Sequence, residues 1–366
     1  MSSMSGTDNA GIVDSADRAS IDTDRLGRDG EGGAVYLPRG EARWRYAPER
    51  TALLVIDPVN DFLSEGGAGW DLVKNTVRLH DVVRHLRQAI EGARERGIPV
   101  FYGPMAYTEE DYAGRNLQQR SGINRLMFER KMFLAGSWGA DFHPDLRPLP
   151  QETVLLPHKG NDVFETDLPE HLRRLGTTHL VLAGMTASLC VEATGRHAME
   201  EGYDVTFLAD AIGSDGIPSY EAAVHLAYPL IGNAVLDVDE FLTAVDTSLR
   251  GEVRPQPGDT VRGSDRGELG TIEEVVDATD ETEAYLLVPR GLLFKRDTYV
   301  PLDAVARRAG TDVFVNVPKL VAGYMPWDAP PARAAQWDKR GPRAADVRAL
   351  YGSRSPSTHD RTTDQE

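Results

Sequence analysis

The order of apolar and polar positions divides the chain into a long α/β segment and a later segment of short strands. Up to Thr247, short apolar runs that fit strands buried on both faces alternate with segments whose apolar residues recur at helical spacing. The run 51–56, the helical segment 70–96 and the run 100–105 form a β-α-β unit, which has a right-handed crossover in a parallel sheet. The pattern predicts a doubly wound α/β domain over 42–247, in which helices cover both faces of a mainly parallel sheet.

The hydropathy pattern changes after about Arg250. Residues 248–257 are rich in Pro and Gly, which is typical of a linker, and the following segment consists of short strands broken by Gly and Asp. This spacing predicts a small antiparallel β-barrel domain over 258–332. The polar segments at 1–41 and 333–366 bury too little apolar surface to offset the entropy of ordering, so we expect a disordered tail at the start and a polar tail at the end.

Residues 179–214 contain the most chemically suggestive pattern. An apolar run leads into Gly184, which permits a sharp turn, and helical spacing begins at Ser188. Cys190, the only cysteine, would then lie in the first turn of a helix at the carboxyl edge of the sheet, where such folds bind ligands. Free backbone N–H groups and the helix dipole at that place favour a thiolate. A lone cysteine is more often a small buried hydrophobe, but this position favours a nucleophile.

Asp57 is the second candidate, because it directly follows the first predicted strand. An acid before a proline, here Pro58, often only organises a turn. A carboxylate at a neighbouring strand end is also able to remove the proton of a thiol and return one to a leaving nitrogen.

Three segments of the chain resemble the isochorismatase-like cysteine hydrolases. They are LLVIDPVNDF at 53–62, Gly184 with Met185-Thr186 and Cys190-Val191, and Gly202-Tyr203 followed by Asp210-Ala211. The resemblance covers about 42–247. It implies an enzyme in which Cys190 is the nucleophile and Asp57 the general acid and base. It also implies a non-proline cis peptide at Met185-Thr186, whose Thr186 amide would form an oxyanion hole with that of Cys190.

The resemblance further implies a lysine, just after the strand that ends near Pro157, as the cation beside the acid. In the motif PHKGNDVFETDL the family spacing falls on His158, with Lys159 one residue later. We prefer Lys159, because a permanent cation suits this role better than an imidazole near its pKa. His158 remains the alternative, and an ordinary solvated loop lysine is the competing interpretation.

A metal centre is not expected from the residues after the first strand. Nicotinamidases of this family carry an Asp-x-His pair and a further His there, whereas NDFLSEGGAGWD contains no histidine. Asp61 and Glu65 remain, and without imidazole partners we expect a structural or solvated role for both. We therefore expect neither metal nor cofactor, and the sequence argues against a nicotinamidase.

Composition and charge limit the kinds of molecule that we expect the protein to bind. The net charge of −17 opposes binding to nucleic acid, and no apolar run approaches the roughly 20 residues that span a bilayer. With one cysteine and no signal-peptide pattern, we expect a soluble cytoplasmic protein with a small-molecule substrate. The irregular, aromatic-rich residues 106–149 are the best candidate for a substrate cover or a subunit contact, and we expect a homo-oligomer.

Three functions remain open from the sequence. The first is a cysteine hydrolase that cleaves a C–N bond of a small amide, ureido or related compound through a thioester on Cys190. The second is an isochorismatase-type vinyl-ether hydrolase, which needs the acid and not the thiol. The third is a non-catalytic assembly scaffold, since GSDRGELGTIEEVV and YVPLDAV, within 258–318, resemble the PRC-barrel family. That second resemblance implies an interaction module and a possible protein partner.

Overall fold

A computed structural model describes residues 46–115, 121–289 and 297–332. The predicted tails at 1–41 and 333–366 lie outside these residues. Numbered along the chain, the strands are β1 (Thr51–Ile56), β2 (Val100–Gly103), β3 (Thr153–Val154), β4 (His179–Gly184), β5 (Asp204–Ile212), β6 (Ala234–Leu236), β7 (Thr260–Arg262), β8 (Glu268–Thr271), β9 (Glu274–Val276), β10 (Tyr285–Val288), β11 (Thr298–Pro301), β12 (Val305–Ala309) and β13 (Asp312–Val315).

The α-helices flank and connect these strands. They are α1 (Asn60–Leu63), α2 (Trp70–Leu79), α3 (Val82–Glu95), α4 (Gly122–Arg130), α5 (Leu168–Leu175), α6 (Glu192–Glu200), α7 (Ile217–Ala222), α8 (Tyr228–Ile231), α9 (Val238–Leu249) and α10 (Lys319–Ala322). π-Helical turns occur at Asp111–Arg115, Ala187–Val191 and Ala223–Ala227. Single 3₁₀ turns occur at Trp138–Ala140, Pro144–Leu146, Val163–Glu165 and Leu302–Ala304. Within the described part of the chain, none of the helices has the length and apolar character needed to cross a membrane.

The central sheet confirms the predicted doubly wound α/β fold. Its six strands are all parallel and run in the order β3-β2-β1-β4-β5-β6. Every residue of β1 and of β4 is buried, as expected for strands that are covered by helices on both faces.

The strand order reverses between β1 and β4, and this switch point fixes where a ligand is expected to bind. Ile56, the last residue of β1, pairs with Gly184, the last residue of β4. Gly184 has a φ of +115°, and a Cβ at this position would lie 2.0 Å from the Ile56 carbonyl oxygen. Glycine is therefore required for the two strands to end side by side, and the residues that follow both strands leave from the same edge of the sheet.

The helical segment predicted at 70–96 is two helices rather than one. α2 ends at Leu79 and α3 begins at Val82, and Asp81 between them has a φ of 47°. Aspartate tolerates this left-handed conformation better than most side chains, so the apolar spacing continues across a break that it does not reveal.

The β-rich region after α9 forms two small sheets, β12-β13-β7-β8 and β11-β10-β9, which share a buried apolar cluster. This region is consistent with the predicted barrel-like domain, although β13 pairs with β7 in parallel rather than antiparallel. It packs closely against the α/β domain. Phe314 and Ala309 belong to the α/β domain's core, and the Gly310 amide donates to Thr247 Oγ1 of α9 at 3.0 Å.

Candidate active site

Asp57 is the first residue beyond β1 and is fully buried. Its backbone adopts a left-handed φ of 51°, and its Oδ1 accepts a hydrogen bond from the Met105 amide at 2.6 Å. The same oxygen lies 3.1 Å from His158 Nε2. Its Oδ2 is buried and accepts no hydrogen bond from the residues that the structure describes. One carboxylate oxygen is therefore anchored and the other is available for chemistry.

His158 is held beside this carboxylate by its own backbone and by its other ring nitrogen. The His158 amide donates to the Pro104 carbonyl at 3.1 Å, and Nδ1 lies 2.7 Å from the Gly160 carbonyl oxygen. A carbonyl accepts only, so Nδ1 carries a proton and Nε2 faces Asp57. Burial alone would lower the pKa of His158, but the charge of Asp57 and its hydrogen bond to Nε2 outweigh burial and raise this pKa. The neighbouring Asp57 carboxylate therefore favours the cationic form of the ring.

Lys159, the residue preferred from the sequence for this cationic role, lies elsewhere. Its Nζ is 2.7 Å from both carboxylate oxygens of Asp111, and its side chain is 55% exposed. Its carbonyl accepts a hydrogen bond from the Tyr107 hydroxyl. The geometry therefore favours the alternative, His158, at the position beside Asp57. Lys159 instead ties the segment after β2 to the segment after β3.

Cys190 lies in the π-helical turn Ala187–Val191, which directly precedes the regular helix α6. Its Sγ, a ring nitrogen of His158 and a carboxylate oxygen of Asp57 all lie within 4.8 Å of one another. The side chain is buried, and Sγ donates to Asn161 Oδ1 at 3.9 Å. These contacts place the three side chains at the switch point of the sheet.

The protonation state of Cys190 differs from the sequence-based expectation of a thiolate. Burial raises the pKa of the Cys190 thiol well above its ordinary value, and the negative charge of Asp57 raises it further. The backbone N–H groups of Thr186 and Cys190 act in the opposite direction and lower this pKa, but they do not outweigh burial. The resting group is a thiol, so its reaction requires a base, and Asp57 is the adjacent one.

The Met185–Thr186 peptide bond is cis, at the place implied by the family resemblance. The Met185 amide donates to the Ile56 carbonyl at 2.9 Å, which fixes the start of the turn against β1. Because the amides of Thr186 and Cys190 both stabilise the thiolate form, both lie close to Sγ.

Asp61 and Glu65 both have contacts with other protein groups. Asp61 is buried, and its two oxygens accept from the amides of Ala68 at 2.8 Å and Phe133 at 2.6 Å. Glu65 is exposed and pairs with Arg78 at 2.5 Å. Asp61 thus attaches part of the 106–149 segment to the chain after β1.

Part of the 106–149 segment lies close to the cluster formed by Asp57, His158 and Cys190. Burial raises the pKa of the Tyr107 hydroxyl, and the charges of Cys190 and Asp57 contribute to this increase. The Tyr107 amide donates to the Phe133 carbonyl and the Ala135 amide donates to the Tyr107 carbonyl, so two described parts of the segment are joined beside the cluster. Sequence reasoning missed Asn161, whose only signal was its position three residues after His158 in the same motif.

Comparison with known proteins assigns the α/β domain to a family. A family model described as the isochorismatase domain matches residues 51–240, which is 190 of the 366 residues. The chain belongs to the isochorismatase family. It is accordingly a hydrolase of the isochorismatase family, and the match covers β1 to the first part of α9.

Individual relatives of this isochorismatase-family hydrolase are moderately similar. A ureidoacrylate amidohydrolase, RutB, from Serratia proteamaculans (strain 568) is 30% identical over 230 residues, covering 59% of this chain and 90% of the relative. An uncharacterized isochorismatase family protein, YddQ, from Bacillus subtilis (strain 168) is 30% identical over 161 residues, covering 44% and 76%. Among solved structures, a cysteine hydrolase from Pseudomonas syringae pv. phaseolicola 1448A has 20% identity and a TM-score of 0.49, covering 56% of this chain and 97% of that chain.

Proposed function

We propose that this isochorismatase-family hydrolase cleaves a C–N bond of a small amide or ureido compound through a thioester on Cys190. The observation that carries the proposal is the convergence of Asp57, His158 and Cys190, whose reactive atoms lie within 4.8 Å of one another. A nucleophile, a base and a cation that orients the base are the parts that covalent acyl transfer needs.

In the first half-reaction, the free Oδ2 of Asp57 accepts the thiol proton while Sγ bonds to the substrate's carbonyl carbon. His158 stays protonated and offsets the charge of the second carboxylate oxygen, Oδ1. The substrate oxygen becomes an oxyanion, and the amides of Thr186 and Cys190 donate to it. The C–N bond then breaks as Asp57 returns the proton to the leaving nitrogen, and the acyl group remains on Sγ.

In the second half-reaction, water attacks the thioester carbon and Asp57 accepts a proton from that water. The C–S bond breaks, the acid product leaves, and the proton held by Asp57 restores the Cys190 thiol. A single carboxylate thus acts as base and acid twice, which requires it to stay close to both the sulfur and the leaving group. The Met105 hydrogen bond to Oδ1 supplies that fixed position.

The ureido part of the proposal is supported by the similarity to the ureidoacrylate amidohydrolase, which covers 90% of that protein. Asn161 adds a local argument, because its carboxamide contacts Sγ and has the planar donor-and-acceptor pattern that pairs with an amide or a ureide. Substrate binding would replace the thiol as the partner of Asn161.

A panel of small amides and ureides, ureidoacrylate among them, tests the proposal with ammonia release as the readout. We expect turnover by the wild-type enzyme, none by Cys190→Ala, and poor turnover by Asp57→Asn. If Cys190→Ala retains near-normal hydrolysis while Asp57→Asn does not, the thioester route is wrong. In that case the hydrolysis is acid-driven and independent of the thiol, as in the alternative vinyl-ether reaction.

A further inference from the structure

The three side chains of the proposed catalytic site are also three good ligands for a soft divalent cation. We propose that Asp57, His158 and Cys190 bind Zn²⁺ or a similar thiophilic ion, and that the bound ion inhibits the hydrolase reversibly. The inhibition rests on the proposed function, whereas the binding itself does not.

The distances between the ligand atoms fit such an ion with little movement. Zinc bonds of about 2.0–2.3 Å to N, O and S in tetrahedral geometry separate the ligand atoms by about 3.3–3.6 Å. One ligand atom each from Asp57, His158 and Cys190 lies within 4.8 Å of the other two. Shifts of about 1 Å therefore bring the three atoms to three corners of a tetrahedron, and the fourth corner remains open for water.

The surroundings of the ligands have the features of a built metal site. Metal-binding histidines usually donate their other ring N–H to a carbonyl or carboxylate, which fixes the tautomer. His158 does this through Nδ1 to the Gly160 carbonyl at 2.7 Å, so Nε2 is aimed at the other two ligands. Asp57, fully buried, contributes Oδ2, which has no hydrogen-bond donor among the described residues and retains its lone pairs for a cation.

Metal binding releases protons from two of the ligands. Zn²⁺ replaces the Sγ proton of Cys190 and the Nε2 proton of His158, two protons go to solvent, and the resulting site is neutral. The sulfur lone pair that would attack the substrate is then used in the Zn–S bond, and the Asp57 carboxylate no longer accepts a proton. A lysine at position 158 would supply the same positive charge but would not ligate, because its ammonium has no free lone pair.

Metal binding is measured first, because it needs no substrate. Co²⁺ serves as the spectroscopic probe, since a cobalt–thiolate bond gives a near-ultraviolet charge-transfer band, and Zn²⁺ is titrated by calorimetry. We expect one ion per chain with a thiolate band for the wild-type enzyme. His158→Lys should weaken zinc binding about 100-fold. Cys190→Ser keeps nearly the shape of the native side chain but has no sulfur, so it should remove the charge-transfer band.

The matched control is His197→Ala. His197 Nδ1 lies 2.6 Å from Asp162 Oδ2 on the partly exposed surface, so it represents an ordinary His–Asp pair. This variant should bind Zn²⁺ and be inhibited by it like the wild-type enzyme, and a chelator should restore activity in both. Unchanged zinc affinity in His158→Lys, or a cobalt complex without a thiolate band, overturns the site. Activation by Zn²⁺ overturns the inhibitory role, and absence of hydrolysis with every substrate counts against the proposed function while the binding result stands.

Discussion

The strands of the central sheet start at one side, here called the amino edge, and end at the opposite side, the carboxyl edge. Each side buries an aspartate and a histidine, but among the described residues a thiol lies beside them at the carboxyl edge alone. At the amino edge, His179 begins β4 and Asp204 begins β5, and their Nε2 and Oδ2 atoms are 3.4 Å apart. The third member there is Arg307, whose guanidinium lies 3.9 Å from Asp204 and 4.4 Å from the ring centre of Tyr46. At the carboxyl edge, the third member is the Cys190 thiol.

The comparison shows that burial of charge does not by itself indicate a catalytic site. At the amino edge, a permanent cation from β12 compensates the Asp204 carboxylate and ties the C-terminal region to the α/β domain, so the cluster is structural. At the carboxyl edge, the Asp57 carboxylate lies next to a nucleophile, the Cys190 thiol. We expect mutations at the first edge to change stability and mutations at the second to change rate.

The largest expected effect is on catalysis and comes from Cys190→Ser. No other described group at the carboxyl edge replaces the sulfur as nucleophile, so we expect kcat to fall by about 10⁴-fold. The side chains are similar in size, and Asn161 Oδ1, which accepts from Sγ, can accept from the buried serine hydroxyl, so the free energy of unfolding should change by less than about 1 kcal/mol. Steady-state kinetics and urea unfolding measure the two quantities. A large loss of stability would mean that this edge is structural as well.

Substitution of His158 and of Lys159 tests which of these two basic residues acts on Asp57. His158→Ala removes the cation beside Asp57 and should reduce kcat by about 10²-fold or more. Lys159→Ala removes the ion pair between the half-exposed Lys159 ammonium and the buried Asp111 carboxylate, which lies outside the cluster of Asp57, His158 and Cys190. We therefore expect kcat and KM to change less than about fivefold. Steady-state kinetics of the two variants, measured in parallel, show which substitution reduces kcat more. A larger loss in Lys159→Ala than in His158→Ala would restore Lys159 as the residue that acts on Asp57.

At the amino edge, Arg307→Met should lower the free energy of unfolding by about 3–5 kcal/mol, because it removes the permanent positive charge beside the buried Asp204 carboxylate. The folded fraction should keep its kcat. The control is Arg254→Met, which removes an exposed pair with Asp277 and should change the unfolding energy by less than about 1 kcal/mol. Thermal and denaturant unfolding measure both variants. A loss of kcat without a loss of stability in Arg307→Met would remove the distinction between the two edges.

The smallest expected effect is at Asn161. Replacement by Ala removes a carboxamide that contacts Sγ without taking part in bond breaking, so KM should rise about three- to tenfold while kcat stays within about threefold. Glu165→Ala, on the same loop, is the control and should change neither value. If kcat falls and KM does not change, Asn161 acts on the transition state rather than on substrate binding.

The sequence alone predicts much of the carboxyl edge and little of the amino edge. Apolar runs that end at Asp57 and before Cys190 place both residues at parallel strand ends, which must meet at one edge. The choice between His158 and Lys159 does not follow from the pattern, because both lie beyond β3 and only the bridge between His158 and Met105 decides which side chain points inward. The contact of Arg307 with Asp204 joins distant segments that no local pattern connects.

Intact-protein mass spectrometry of the enzyme, acid-quenched during turnover, tests the central claim that Cys190 carries a covalent intermediate. We expect a mass increase equal to the acyl part of the substrate, located on the peptide that contains Cys190 and removed by hydroxylamine. The adduct should accumulate in a variant that slows hydrolysis of the thioester and be absent in Cys190→Ser. Full turnover without any adduct, together with hydrolysis by Cys190→Ser, would contradict the account.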